Sequence, residues 1–396
     1  MLNKTLIKYY ESTHRTISPE NTIKNIQEKL TQTGITRTSD ITHLDRLKIP
    51  VYTSIRPKAE KGAVSVYAGK GPTKAHAKAS SMMEAVERYS AEQQENDNTI
   101  IQKYDSKTCL NPEKLIISSH ITINDEIEWV SAINIKTNEE ILVPANDVYH
   151  PYNNSKVQHL FRSNTNGLAS GNQLEEAIFY GLMEVIERDA WSIFEVHKTN
   201  PIQIDVTTTQ NQIIRDLVEK FERENITLNL LDITSDIGIP TVLAVSDDLS
   251  LKDPALLTIG VGTHLNPEIA IIRAITEVAQ SRATQIHGTR EDTVRAKLAR
   301  DTGYDRMKRI NRHYFQEPGS TIKIEDIFDK STNNFKEDIR ITLKQLKEQE
   351  INNVYYVDLT REINIPVVRV IIPQAEVYAI DPTRAGKRIK PEKIIR

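Results

Sequence analysis

Hydrophobic and polar positions along the chain switch repeatedly between strand-type and helix-type spacing. VYTSIRP and AVSVYAGKG are β-branched and aromatic, with turn residues between them, and predict sheet over residues 36–70. EWVSAINIKTNEEILVPANDVY predicts a hairpin turning at Lys136–Glu139. IQIDV, ITLNLLDI, IPTVLAVSD and ALLTIGVG read as strands, and VYYVDL and VVRVIIP close the pattern as two more. Between them fall helices. Ser18-Pro19-Glu20 opens one, with serine as cap and proline in the first turn, and QNQIIRDLVEKF forms another. Three longer helices begin near Thr73, near Asn172 and near Pro267. Residues 293–350 are charged and mostly helical, with a looser stretch at 317–334. Mixed strands and long helices without strict alternation predict an α+β fold.

The three long helices share a frame. Gly71, Ala77, Glu84 and Glu87 recur as Gly171, Ala177, Glu184 and Glu187, and again as Gly262, Ala270, Glu277 and Gln280. The two acidic positions of each pair lie about 60° apart on one helix face. The other faces are apolar, as with Ile178, Leu182, Val185 and Ile186 in the second helix. A repeated unit of turn glycine and acid-faced helix implies internal duplication, with the acid faces turned toward each other. A single Glu-x-x-Glu-Arg is ordinarily a solvated helix face; three equivalent helices, two of them with that run, weaken that reading.

Composition adds boundaries. With 396 residues, the chain is long enough for a substantial core. It divides on pattern into an N-terminal segment (1–60), an acid-helix core (61–295) and a C-terminal region with a basic tail (296–396), read as one compact body. A net charge of -3 provides no general basic field for nucleic acid. The one cysteine, Cys109, excludes intrachain disulfides and multi-cysteine zinc sites. Neither an apolar signal core nor a membrane-length apolar run is present, so a cytoplasmic location and no membrane contact are expected. In the tail, Arg384, Gly386 and Arg388 read equally well as surface charge or as a substrate or partner contact.

Converging carboxylates set the chemistry. Two of them ~4 Å apart repel by about 4 kcal/mol at an effective dielectric near 20, so a cluster takes up protons or binds cations. Hard oxygen ligands without cysteine select Mg²⁺, which commonly shares its shell with nucleotide phosphates. Arg15, Arg88, Arg188, Arg273 and Arg282 offer charge for those phosphates. Phosphoryl transfer is the chemistry this combination suggests, although neither a Walker A sequence nor a kinase signature set is present.

Ser80-x-x-x-Glu84-x-x-Glu87-Arg88, then NGLASGN…Glu176…GLMEVIERDA, then Arg273-AIT-Glu277-VA-Gln280-S-Arg282 resemble, in order, the YcaO family of ATP-dependent peptide-backbone-modifying enzymes. THRTISPENT and GTRED resemble its archaeal, thioamide-forming branch. The resemblance implies ATP and Mg²⁺ bound between the acid helices. Glu84, Glu87, Glu184 and Glu187 would hold metal, with Glu176 and Glu277 nearby. Ser80, Arg88, Asn172, Arg188, Arg273, Gln280 and Arg282 would contact or order the nucleotide, and Arg15 and Thr22 would add N-terminal contacts. Glu84, Glu187, Arg273 and Glu277 would stand closest to catalysis.

The resemblance further implies addition of a nucleophile to a peptide amide carbon, phosphorylation of the resulting oxyanion and loss of phosphate. Azoline-forming members carry a proline-rich C-terminal tail, and the tail KRIKPEKIIR has no Pro-x-Pro-x-Pro. External sulfide is therefore the expected nucleophile, with a glycine of methyl-coenzyme M reductase as expected target, a TfuA-type partner delivering sulfur, and a homodimeric enzyme. The alternatives are an azoline- or amidine-forming enzyme and a nucleotide-binding scaffold without turnover.

Overall fold

The computed structural model describes residues 2–288 and 294–390, apart from 119 and 124. Most of the GTRED run and the last residues of the tail therefore lie outside the described residues.

Three sheets form, and each backs one of the three long helices. The first joins β1 (Arg37–Asp40), β2 (Val51–Ile55) and β3 (Val66–Lys70) in antiparallel order. Helix α1 (Pro19–Gln27) is capped by the Ser18 side chain, as its sequence indicates, and packs on α2 (Lys74–Ala91), which lies across β2 and β3. The second sheet is built from β4 (Thr99–Gln102), β5 (Ile127–Asn134), β6 (Glu140–Pro144), β7 (Leu168–Ser170), β13 (Tyr355–Asp358) and β14 (Val367–Ile371). Helix α3 (Leu174–His197) packs on β7 and β14. The third has the order β11 (Thr258–Thr263), β10 (Thr241–Asp248), β9 (Ile226–Asp232), β8 (Ile202–Asp205), β12 (Ser320–Lys323), with β12 parallel to β8. Helix α4 (Gln212–Arg223) packs on β9, and α5 (Pro267–His287) on β11 and β10.

The recurring glycine and alanine are packing devices. A Cβ on Gly71 would sit 2.3 Å from the His76 Cβ, one on Gly171 2.6 Å from the Ala177 amide nitrogen, and one on Gly262 2.2 Å from the Ala270 carbonyl oxygen. Only a bare backbone lets each helix seat this closely on its strand, and the seating fixes where the acid faces point. Ala77, Ala177 and Ala270 are fully buried at these contacts.

Strands from either side of residue 295 share the second sheet, since β13 pairs with β5 and β14 with β7. One expectation changes. The basic tail is not loose surface up to residue 390. Arg384 is 2% exposed and donates to the Leu115 and Ile116 carbonyls, the Gly386 amide donates to Glu376, and Arg388 donates to Asp189. Strand β7 is only three residues long and β4 and β12 are partly exposed, so periodicity alone missed them. No helix among the described residues is long and apolar enough to cross a membrane.

Candidate functional site

A cleft of about 340 Å³ opens where α2, α3 and α5 meet the N-terminal segment. Helix α2 contributes Ser80, Glu84, Glu87 and Arg88. Helix α3 contributes a stripe at every fourth residue: Glu176, Tyr180, Glu184 and Arg188. Helix α5 adds Arg273, Glu277 and Gln280, and Arg15, Thr22 and Asn172 complete the lining among residues singled out in the sequence. All the expected site residues line this cleft except Glu187 and Arg282.

Arg282 is a correction. It lies two residues beyond Gln280, about 200° around the helix, and so on the opposite face. It is fully buried, with Nε donating to Asp45 at 2.8 Å and Nη2 donating to Asp45 at 3.0 Å and Asp248 at 3.1 Å. It ties α5 to β10 and to the loop before β2, and it does not line the cleft.

Glu176 is a second correction, as a metal ligand. Its Oε1 accepts from Arg15 at 3.0 Å and Asn172 at 3.2 Å, and its Oε2 accepts from the Thr16 amide and hydroxyl at 3.0 and 2.6 Å. Four donors saturate the carboxylate, leaving no lone pair for a cation. Its work is to pin the N-terminal segment over the cleft. Thr22 joins that network by donating to Asn172 at 3.2 Å.

The remaining acids behave as a cation site requires. Burial pushes Glu87 up to about 8, with Glu84 and Glu184 adding to the rise against Arg88. Burial likewise raises Glu187 to about 7, with Glu277 and Glu184 adding to the rise. Glu184 thus links the acids of α2 to those of α3 and α5. Glu187 is 2% exposed, and its Oε2 has no partner among the described residues. Once ionised, that carboxylate is acceptor-only and fits a cation. Among the described residues no group of three or more histidine, cysteine, aspartate or glutamate side chains is placed to hold a metal ion by itself.

Several participants escaped the sequence reading. Lys70, at the end of β3, pairs with Glu277 at 2.5 Å; burial raises the Glu277 carboxyl, but this ammonium and Arg188 hold it below its ordinary range. Tyr180 carries the Arg15 guanidinium 3.7 Å from its ring centroid and Arg273 at 5.6 Å, while its hydroxyl donates to the His14 carbonyl at 2.6 Å. Its place midway between Glu176 and Glu184 on one stripe was the available signal. His76 also lines the cleft, held between Thr73, Ser12 and Tyr9. Cys109 is buried away from the cleft beside Gln102.

A pH dependence follows from the protonated acids. Above 4.5, the ordinary value of a glutamate, unfolded Glu87 and Glu187 ionise while the folded ones keep their protons. The native state then binds more protons, so stability falls as pH rises toward 8. His14 and His150, lowered by burial to about 4, act in the opposite direction between about 4 and 6.5. Above 6.5 the carboxyls dominate, with Asp189 at about 7 adding to them. Nucleotide- and metal-free protein is expected to lose about 1 kcal/mol per pH unit between pH 6.5 and 8, and Mg-ATP is expected to flatten that slope. Urea denaturation at stepped pH measures both.

Carboxylates and guanidiniums alternating around a cleft, without a Walker loop, define a protein of the nucleotide- and magnesium-dependent class. A family profile, YcaO cyclodehydratase, ATP- and Mg²⁺-binding, matches residues 68–376. The chain belongs to the YcaO family, whose enzymes carry out ATP-dependent peptide modification. An uncharacterised protein of Methanothermobacter thermautotrophicus is 56% identical over 375 residues, covering 94% of this chain and 98% of its own. An uncharacterised protein encoded in the tfuA 3′ region of Rhizobium leguminosarum bv. trifolii is 33% identical, over 70% of this chain and 69% of its own. YcaO from Methanopyrus kandleri, solved with AMPPCP and Mg²⁺, superposes with a TM-score of 0.81 at 31% identity, covering 98% of this chain and 99% of that one. A heterocyclase solved with substrate and cofactor gives the same TM-score, 0.81, over 95% of this chain and 54% of its own, at 23% identity, a likeness of fold.

Proposed function

We propose that this protein replaces the oxygen of a peptide-backbone amide with sulfur, using ATP and external hydrosulfide. The observation that carries the ATP-dependent part is the cleft itself, where partly protonated carboxylates and arginines from three helices converge. Sulfide as nucleophile rests on the resemblance of THRTISPENT and GTRED to the thioamide-forming branch; the relatives themselves, a Methanothermobacter protein at 56% identity and one encoded in a tfuA 3′ region, are uncharacterised. On this reading the target is a glycine of methyl-coenzyme M reductase, and a TfuA-type protein delivers the sulfur.

Glu84, Glu87, Glu184 and Glu187, with Glu277 beside them, would hold Mg²⁺, and Arg88, Arg188, Arg273 and Lys70 would take up phosphate charge. Ser80, Gln280 and Asn172 would order the nucleotide, with Arg15 held rigid by Glu176 and Tyr180. Mg²⁺, when bound, supplies charge neutralisation at the phosphates. Hydrosulfide adds to the amide carbon, forming a C–S bond and an oxyanion. The oxyanion takes the γ-phosphoryl group and ADP departs. The C–O bond then breaks, phosphate leaves, and loss of the S–H proton leaves C=S. An amide oxygen is a poor leaving group and phosphate a good one, so the arginines and Lys70 matter most where charge gathers on the transferring group.

Incubating the purified protein with Mg-ATP, sodium hydrosulfide and a glycine-containing target peptide is expected to give a mass gain corresponding to oxygen replaced by sulfur. ATP turnover accompanied only by loss of water from the peptide would replace this reading with azoline formation.

A further inference from the structure

Helix α5 departs from the other two acid helices at one place. Glu84-x-x-Glu87-Arg88 and Glu184-x-x-Glu187-Arg188 correspond to Glu277-x-x-Gln280-Ser281, so the arginine that ends the first two runs is missing from the third. Arg88 donates to Glu84 at 3.3 Å and Arg188 lies 3.7 Å from Glu187, each arginine on the same helix as its acid. Glu277 takes its contact cation from another element. Lys70, the last residue of β3, reaches it at 2.5 Å. Arg188 and Arg273 also bear on Glu277, but among the described residues Lys70 is the cation in contact with it.

Both members of the pair open on the cleft. Their side chains are 20% and 21% exposed, and both belong to its lining. The root of Lys70 is fixed, because its backbone is in register with Val51 of β2. Its tip is not fixed in the same way, since the ammonium ends a flexible four-carbon stem and serves different acceptors from one root. While it sits on Glu277, it occupies lone pairs that a metal ion would need.

We propose that Lys70 is an exchangeable counter-ion. It neutralises Glu277 while the cleft lacks nucleotide, yields the carboxylate to the metal, and then carries its charge to the triphosphate. The inference rests on the metal-holding role given to Glu277 above and holds for either nucleophile. Without nucleotide, leaving Glu277 strands the ammonium in a cleft already lined by Arg188 and Arg273. With nucleotide, phosphate oxygens receive it. Lys70 thereby couples metal entry to nucleotide entry, and it adds positive charge where the transferring group becomes more negative.

Mn²⁺ binding to nucleotide-free, full-length protein, followed by the EPR signal of free Mn²⁺, separates this role from a structural one. Lys70→Met is expected to tighten Mn²⁺ binding about tenfold, because the metal no longer competes with a partly exposed ion pair. The same variant is expected to slow phosphate release at saturating Mg-ATP about 10²-fold, through loss of a cation at the transferring group. Lys70→Arg keeps the charge and should hold Mn²⁺ near the wild-type affinity. A merely structural ion pair would not tighten metal binding when broken. Crystals of wild type with Mn²⁺ and AMPPCP read the exchange whether or not Lys70→Met folds: the ammonium is expected on a phosphate oxygen and Glu277 on the metal. Lys70 still on Glu277 in that complex, or unchanged or weakened Mn²⁺ binding in folded Lys70→Met, overturns the inference, while ATP turnover by wild type keeps the ATP-dependent reading. Unchanged Mn²⁺ affinity in Glu277→Gln removes the metal-holding role of Glu277 and the inference together.

Discussion

Glu84→Gln is expected to lower ATP turnover by about 10³-fold or more and to leave the protein folded. Glutamine keeps the shape of glutamate and removes the charge that a cation requires. Metal-derived charge stabilisation is worth several kcal/mol at a transferring phosphoryl group, and each ~1.4 kcal/mol is a factor of ten in rate. The structural loss is small. Glu84 accepts a single hydrogen bond, from Arg88 at 3.3 Å, on a side chain 23% exposed, and such pairs contribute about 1 kcal/mol or less. Losing the negative charge also relieves its repulsion of Glu87, one of the contributors to the raised pKa there. Melting temperature should therefore change little, and the stability loss above pH 6.5 should become shallower. Turnover within tenfold of wild type, measured as phosphate release, would remove Glu84 from the cation site.

Arg282→Ala is expected to act in the opposite manner, destabilising the protein by about 3–5 kcal/mol with little effect on nucleotide affinity in the molecules that remain folded. The guanidinium is fully enclosed and compensates Asp45 and Asp248. Deleting one partner of a buried ion cluster strands the other charges in a low-dielectric interior. Arg46, which donates to Asp248 at 2.6 Å, offsets only part of this. Urea denaturation gives the stability change, and ATP titration below the melting range gives the affinity. A variant with wild-type stability and weakened ATP binding would return Arg282 to the nucleotide site. The pair of substitutions separates two uses of charge on these helices: Glu84 serves function at small structural cost, and Arg282 serves structure with no contact to the cleft.

The sequence by itself determined the three acid helices, their start points and the inward turn of their polar faces. Seven-residue spacing from alanine to glutamate survives folding because a helix carries it rigidly, and the glycine ahead of each helix lets strand and helix come into contact. The same rotation that places Arg273, Glu277 and Gln280 together also excludes Arg282. The family motif, matched residue by residue, hid that angular fact. Tertiary structure alone decided the rest. It saturated Glu176 with four donors, three of them from the N-terminal segment, and a count of partners cannot be read from one strand of sequence. It brought Lys70, 207 residues away in the chain, onto Glu277. It joined the C-terminal strands to the sheet behind α3, and it buried Arg384 of the basic tail against the Leu115 and Ile116 carbonyls. Helix periodicity is local and is written in the residues themselves. Burial, pKa and the partner of each charge depend on which distant segments pack together, and only the folded chain specifies that.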